Sequence, residues 1–551
     1  MSVGLRLRNT LGRTVEPFVP IEPGHVRMYT CGPTVYRYAH VGNLRSYLLA
    51  DILRRAFLAG GLEVRQVKNI TDVGHLRDDQ FDRGEDKMLV QARLEDKSPE
   101  EIARAYEAAF HQDERLLNIL PAQVFPRATE HIADMVAMTE RLVDAGFAYE
   151  VDGTVYFSVG SFPGYGRLSG NTLDELRAGH RGEVERDKRD PADFALWKRA
   201  GERRLMRWPT PRWGEGFPGW HIECSAMSLR HLGEVFDVHT GGVDNVFPHH
   251  EDEIAQSAAL SGRVPAHYWV HGEHLLMAGR RMAKSAGNFV RVTELAGPDG
   301  RPIEPLAFRY LCFTAHYRAK LNLTAESLAS ARAGLAGLRA RARRAGRDAA
   351  GSEGPGGGVA TRGGEGPGGG VAGGGGVATR RGTATGGGVA PLPPDATGLA
   401  APAPGVADPG ELSPDARAFL SRWTAAVDDD LDLPRGLAVV HEIARSALPA
   451  PERRWLLLEA DRVLGLDLDR EIAAGAAEAA GVVIGGAPRA GVGPEAPGLP
   501  GRAAGLVRER EAARAARDYA RADALRAELA ALGVEVVDRP GGVTEWRQRE
   551  G

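Results

Sequence analysis

CGPTVYRYAHVGN, running from Cys31 to Asn43, opens on a thiol and closes on His40-Val41-Gly42-Asn43. Before it, Val26 to Thr30 carries β-branched and aromatic residues and predicts a short strand. After it, Leu44 to Leu58 carries apolar residues at helical spacing. The stretch is thus a strand-to-helix loop with a glycine at its tightest point. Such a loop aims backbone N–H groups and the positive end of a helix at an anion. An imidazole there adds a donor for a phosphate that gains charge during reaction. Taken alone, a His-x-Gly loop is also an ordinary turn. Glu63 to Ile70 (EVRQVKNI) predicts a second strand. Strand, loop, helix and strand make a βαβ unit, so the fold class is α/β with a Rossmann-like parallel sheet. Ligands in such sheets sit at the carboxyl ends of strands. Thr71 and Asp72 fall just past the second strand and face the same crevice as His40, although an Asx- or ST-turn gives the same residues.

Gly219 to Leu232 (GWHIECSAMSLRHL) predicts a helix in which Trp220 and Cys224, four apart, share a face. Phe247 to Glu253 (FPHHEDE) opens another, with His249 and Glu253 again four apart. Two helices can therefore aim ligands at one point, and Cys31 can join them from its loop. Two thiolates, an imidazole and a carboxylate form a zinc set. The same residues also read as two small buried cysteines and a capped helix start. Between these helices, the strand VFDVH runs into His239-Thr240-Gly241-Gly242-Val243-Asp244. Its glycines let a nucleotide approach the backbone and Asp244 is placed to accept ribose hydroxyls; a plain glycine turn is the alternative. His271 and His274 stay outside the metal set, which is complete without them. Arg281-Met282-Ala283-Lys284-Ser285 follows.

In this order the motifs resemble the cysteinyl-tRNA synthetases, which are class I aminoacyl-tRNA synthetases. The resemblance runs from about Leu5 to Arg344 and resumes from about Leu412 to Arg547. It implies ATP-dependent activation of L-cysteine and transfer to tRNA(Cys). Residues 40–43 stand at the HIGH signature and residues 281–285 at KMSKS. His40, Asn43 and Lys284 would then stabilise charge in the first step. Gly42, His239, Gly241, Gly242, Asp244, Arg281, Lys284 and Ser285 would contact ATP, accompanied by Mg2+. Thr71, in the segment Asn69-Ile70-Thr71-Asp72, and Trp220 would line the cysteine pocket. Cys31, Cys224, His249 and Glu253 would hold one zinc that accepts the substrate thiolate. The physical sense is that zinc favours a soft thiolate over the harder hydroxyl of serine, whereas packing separates such close analogues poorly. Three residues depart from the signatures. Asn43 replaces a histidine and cannot carry charge. Arg281 replaces a lysine, keeping charge but changing geometry. Ala283 replaces a serine and removes a hydroxyl.

The totals agree with this reading. The chain has 551 residues, enough for several domains, and 43% of them are hydrophobic. No run approaches the roughly 20 apolar residues of a membrane helix, and the N-terminus lacks a secretory h-region, so a cytoplasmic protein without a membrane partner is expected; a monomer is expected as well. Three cysteines are too few for a disulfide framework. A net charge of −4 means that any RNA-binding surface is local.

The expected layout assigns 1–119 and 206–317 to the catalytic domain, with a connective insertion at 120–205. A helical bundle takes 318–345 and 410–470, interrupted by a Gly-rich disordered insertion at 346–409. A flexible linker at 471–502 precedes a small α/β unit, 503–551, where the resemblance puts anticodon binding. EGPGGGVA occurs at 353–360 and again at 365–372, in a tract too poor in large apolar residues to offset ordering entropy. Ser98, Pro99 and Glu101 predict a capped helix start, and Thr129 predicts another cap. The rival functions are a cysteine ligase acting on a small amine through the same adenylate, a paralogue with weakened tRNA charging, and a non-catalytic zinc-stabilised RNA-binding protein. The helical and C-terminal units argue against the first. His40, Asp244 and Lys284 argue against the last.

Overall fold

The computed structural model describes residues 4–74, 76–78, 83–175, 187–201, 204–281, 289–352, 412–479, 506, 510, 519–531, 534–538 and 544–548. Strand β1 (His25–Thr30), helix α1 (Val41–Ala59) and strand β2 (Glu63–Lys68) form the first βαβ unit. The two strands pair in parallel from His25↔Glu63 to Thr30↔Lys68. Helix α2 (Pro99–Leu116) starts with the expected capping box: Glu101 N donates to Ser98 Oγ, and the Glu101 side chain accepts from Ser98 N. The sheet is completed after an insertion by α3 (Trp220–Leu232), β3 (Phe236–Gly242), α4 (Glu251–Ser261) and β4 (Ala266–Gly272). Strand order is β4–β3–β1–β2, all parallel. Every residue of β3 is buried, as befits a strand covered on both faces.

The insertion contributes a separate five-stranded antiparallel sheet, in the order Trp208–Thr210, Gly214–Pro218, Phe194–Arg199, Thr154–Phe157 and Ala148–Val151. Two of these strands, Trp208–Thr210 and Gly214–Pro218, lie beyond the expected boundary at residue 205. They belong to the insertion because Gly216, Phe217 and Pro218 pair with Arg199, Lys198 and Trp197. Thr129 does not cap a helix. It lies inside a 3-10 turn, and its hydroxyl and backbone N–H both donate to Asp72.

Past the sheet come β5 (Leu275–Met277), α5 (Pro305–Cys312), β6 (Leu321–Leu323) and the long α6 (Ala325–Ser352). Helices α7 (Pro414–Asp428), α8 (Leu433–Arg445), α9 (Ala450–Leu464) and α10 (Leu468–Ala479) complete the bundle. Two boundaries move. Helix α6 continues through residues 346–352, and residues 471–479 are the body of α10 rather than linker. Small residues hid both. A Cβ on Gly346 would lie 2.0 Å from Ile472 O, and one on Gly475 would lie 1.8 Å from Arg343 O. The helices therefore touch backbone to backbone, and Glu471 closes the contact with a bond from Arg343 Nε of 2.9 Å. The Gly-rich tract and the rest of the expected linker lie outside the described residues.

A buried ionic cluster ties α1 to the bundle. Asp51 accepts from Arg55 Nε at 2.9 Å and Leu120 N at 2.8 Å, and forms an ion pair with Arg309 Nη2 at 2.7 Å. Arg309, on α5, donates in turn to Leu464 O, the last residue of α9, at 2.6 Å. Burial alone would raise the Asp51 carboxyl, but Arg55 and Arg309 hold it below its ordinary range.

Residues 482–551 form a second unit by contact. In it, α11 (Tyr519–Ala531) is followed by an antiparallel hairpin of Val534–Asp538 and Thr544–Gln548, with Trp546 opposite Val536. Among the described residues, no helix is long and apolar enough to cross a membrane.

Candidate active site

The carboxyl ends of β1, β3 and β4 open on a cleft of about 490 Å³. Cys31 follows β1 directly and lines it, with Trp220 from the first turn of α3. Cys224 lies one helical turn further along α3, and His249 and Glu253 come from the start of α4 and the turn before it. The predicted metal set does converge: the Cys31 and Cys224 Sγ atoms are 4.0 Å apart, Cys31 Sγ is 3.8 Å from Glu253 Oε1, and His249 Nε2 is 3.1 Å from the same oxygen. One ligand atom from each residue lies within 4.8 Å of the others. These separations suit tetrahedral zinc, with Zn–S bonds near ~2.3 Å and Zn–N bonds near ~2.0 Å. Burial, then the neighbouring Cys224, pushes the Cys31 thiol well above its ordinary range. A dication would reverse that balance and favour the thiolate.

A second set, Cys31, His239, His250 and Glu253, shares two of these ligands. It has one thiolate rather than two, and its histidines lie deeper, so the first set suits a thiophilic metal at the cleft floor better. The deeper histidines brace the shared ligands. His250 Nε2 lies 3.2 Å from Cys31 Sγ, and His239 Nε2 lies 2.9 Å from Glu253 Oε2. His239, expected at the nucleotide, is fully buried and stacked on Trp269 with ring centroids 4.7 Å apart, and it does not line the cleft.

His249 is held on two sides. Its ring stacks on Trp220 at 4.3 Å, and its Nδ1 faces His221 Nδ1 at 2.9 Å. His221 Nε2 reaches Asp252 Oδ2 at 3.2 Å, and Asp252 also accepts from the Tyr165 hydroxyl of the insertion. Thr71 lies under the same wall, donating to Glu223 Oε2 at 2.9 Å. The sequence reading missed His221, His250 and Asp252. Each is one residue from a residue it named, so the faintly legible signal was the density of His, Glu and Asp in WHIEC and PHHEDE.

At the other end, His40 is the N-cap of α1. Its Nδ1 accepts from Asn43 N at 3.0 Å, and Asn43 Oδ1 accepts from His40 N at 3.3 Å. Asparagine at position 43 thus completes a reciprocal cap while its side chain lines the cleft. Burial, then nearby Arg37, lowers the His40 pKa to about 4. The neutral ring that accepts at Nδ1 carries its proton on Nε2, as a donor. Gly42, Gly241, Gly242 and Asp244 also line the cleft. A Cβ on Gly242 would lie 2.4 Å from Asp244 Oδ1, so the glycine gives that carboxylate its place.

Arg281 ends a short strand, pairing with Leu276 of β5. Lys284 and Ser285 lie outside the described residues. Just past them, Phe289 meets the His40 ring edge-on at 5.4 Å, and Val290 O accepts from Val41 N at 3.0 Å. The chain following Lys284 therefore docks on the chain carrying His40.

Comparison with known proteins agrees with this geometry. A family model for the class I (C) tRNA synthetase catalytic domain matches residues 17–333, and one for the cysteinyl-tRNA ligase anticodon binding domain matches residues 496–547. A cysteine–tRNA ligase of Thermus thermophilus is 41% identical over 553 residues, covering 99% of each chain. The chain belongs to the cysteinyl-tRNA synthetase family. Other synthetases named cysteine–tRNA ligase include one of Salinibacter ruber, 41% identical over 99% of this chain and 98% of its own. One of Burkholderia lata is 40% identical over 98% of this chain and 96% of its own. Synthetases of this family are aminoacyl-tRNA ligases, and the C-terminal match argues against the small-amine ligase alternative.

Proposed function

We propose that this chain activates L-cysteine with ATP and transfers it to the 3′ end of tRNA(Cys), and that the cleft of β1, β3 and β4 is where both steps occur. A cysteine carboxylate oxygen attacks the α-phosphorus, and the bond to the bridging oxygen breaks as pyrophosphate leaves. A hydroxyl of the terminal adenosine then attacks the adenylate carbonyl, releasing AMP. His40 donates from Nε2 to phosphate oxygen, Asn43 donates from its amide, and Asp244 accepts from ribose. Lys284, Arg281 and Ser285 take the pyrophosphate side. Trp220 and Thr71 shape the cysteine pocket. Cys31, Cys224, His249 and Glu253 hold zinc, which when bound supplies a soft Lewis acid for the substrate sulfur. Mg2+ accompanies ATP, and the protein works as a cytoplasmic monomer.

The observation that carries this reading is the convergence of four metal-type ligands, one of which, Cys31, lines the cleft that His40 also lines. The test is ATP–pyrophosphate exchange with cysteine and with serine, then charging of tRNA(Cys), on protein assayed for zinc. Cysteine-selective exchange with charging supports it. Cys224→Ser should lose zinc and exchange together, and full exchange with an empty metal site would sink the pocket assignment.

A further inference from the structure

The cleft must receive a triphosphate, yet its described walls are poor in positive charge. Asp244 and Glu273 bring two carboxylates to the lining. His40 is neutral at physiological pH. Among the described lining residues, Arg37 alone carries a permanent positive charge. It lies three residues before His40 and is half-buried. Its guanidinium carbon sits 5.1 Å from the Tyr36 ring centroid and 5.3 Å from that of Phe289. No carboxylate among the described residues is paired with it, whereas Arg127, Arg309 and Arg318 each hold an acidic partner. Two aromatic faces thus hold an arginine in place without neutralising it, which lowers the ordering cost of binding an anion. A planar guanidinium also matches two phosphate oxygens at once.

We infer that Arg37 is a phosphate-binding residue of the adenylation step, gripping the β- and γ-phosphates that leave as pyrophosphate. Its position fits that end of ATP. The Phe289 ring on which it rests also meets, edge-on, the ring of His40, the residue assigned above to the phosphate oxygens. Its charge offsets the two lining carboxylates while the electron pair of the breaking P–O bond moves onto the departing pyrophosphate. The assignment rests on the proposed reaction but is testable apart from it.

The experiment is calorimetric titration of the full chain with Mg2+-pyrophosphate, without cysteine, for wild type, Arg37→Met and Arg37→Lys. KM values for ATP and cysteine in exchange are measured alongside. Arg37→Met should weaken pyrophosphate binding and raise the ATP KM by roughly tenfold or more, the scale of one lost charge-assisted contact. Its cysteine KM should stay within about twofold, and Arg37→Lys should recover part of the loss because it keeps charge but not the fork. Unchanged pyrophosphate binding in Arg37→Met overturns the inference, as does an equal rise in both KM values. Failure of the metal-pocket reading would show elsewhere: Cys224→Ser would retain cysteine activation while pyrophosphate binding stayed sensitive to Arg37.

Discussion

The Nδ1 atoms of His221 and His249 face each other at 2.9 Å, and Asp252 lies 3.2 Å from the far side of His221. With a metal on His249 Nε2, one arrangement of the ring protons serves both contacts. His249 donates from Nδ1, His221 accepts at Nδ1 and donates from Nε2 to the carboxylate. His249 Nε2 is then left as a lone pair facing Cys31, Cys224 and Glu253. Substituting His221 by Leu should leave the ligands in place but their orientation unsupported. Zinc affinity, measured by competition with a chromogenic chelator, should fall about 10- to 100-fold. Wild-type affinity would mean that Trp220 alone orients His249.

Asp51 offers a pH-dependent prediction. Its folded pKa lies below the ordinary value because Arg55 and Arg309 outweigh burial. Its contribution is therefore present above ~3.9, the unfolded value, and is lost as pH falls through the lowered folded one. Asp51→Asn removes one partner from a buried pair and should cost about 3–5 kcal/mol near neutrality. Urea unfolding at pH 7 and again below pH 4 should show the gap between variant and wild type narrowing in acid.

His111 has the opposite sign. The carboxylates of Glu107, 3.8 Å from its Nε2, and then Glu114, 3.7 Å from its Nδ1, raise its pKa to about 8. The stabilisation is complete below ~6.5 and is lost as pH rises through the folded value. The ring is partly exposed, so about 1 kcal/mol is expected after solvent screening. His111→Gln should unfold more easily than wild type at pH 6 and equally at pH 9. An equal gap at both values would point to packing rather than charge.

The end of α6 at Ser352 fixes where the Gly-rich tract can be cut. Removing residues 355–408 with a short Gly-Ser replacement should leave kcat/KM for tRNA charging within about twofold, because the tract lacks the side chains to build a core. A cut starting at residue 346 should instead destabilise the protein, since it removes the turns of α6 that pack on α10. A large fall in kcat for the shorter deletion, with folding intact, would give the tract a role in charging.

The βαβ unit and the convergence of Cys31, Cys224, His249 and Glu253 are legible in the sequence because both rest on local rules. Strand and helix periods flank residues 31–43, and four-residue spacing puts Trp220 with Cys224 and His249 with Glu253 on shared faces. The direction of the His239 side chain is not legible, because a His-x-Gly-Gly pattern places the backbone but not the side chain, which β3 turns toward Glu253. The brace formed by His221, Asp252 and Tyr165 depends on the insertion folding back over α4, a contact between residues 87 apart in the chain. Residues 471–479 looked like linker because helices that touch through glycine need few large side chains.

The bond from Val41 N to Val290 O changes what the start of α1 can offer a ligand. A helix begins with a cluster of unpaired amides, but here Val41 N is engaged by the chain beyond Lys284, Asn43 N by His40 Nδ1 and Leu44 N by His40 O. Among the described residues, Gly42 N is the one of these four amides with no acceptor. A phosphate at this terminus would thus meet a single open backbone donor among the described residues, and discrimination between a triphosphate and smaller anions would pass to the side chains around it.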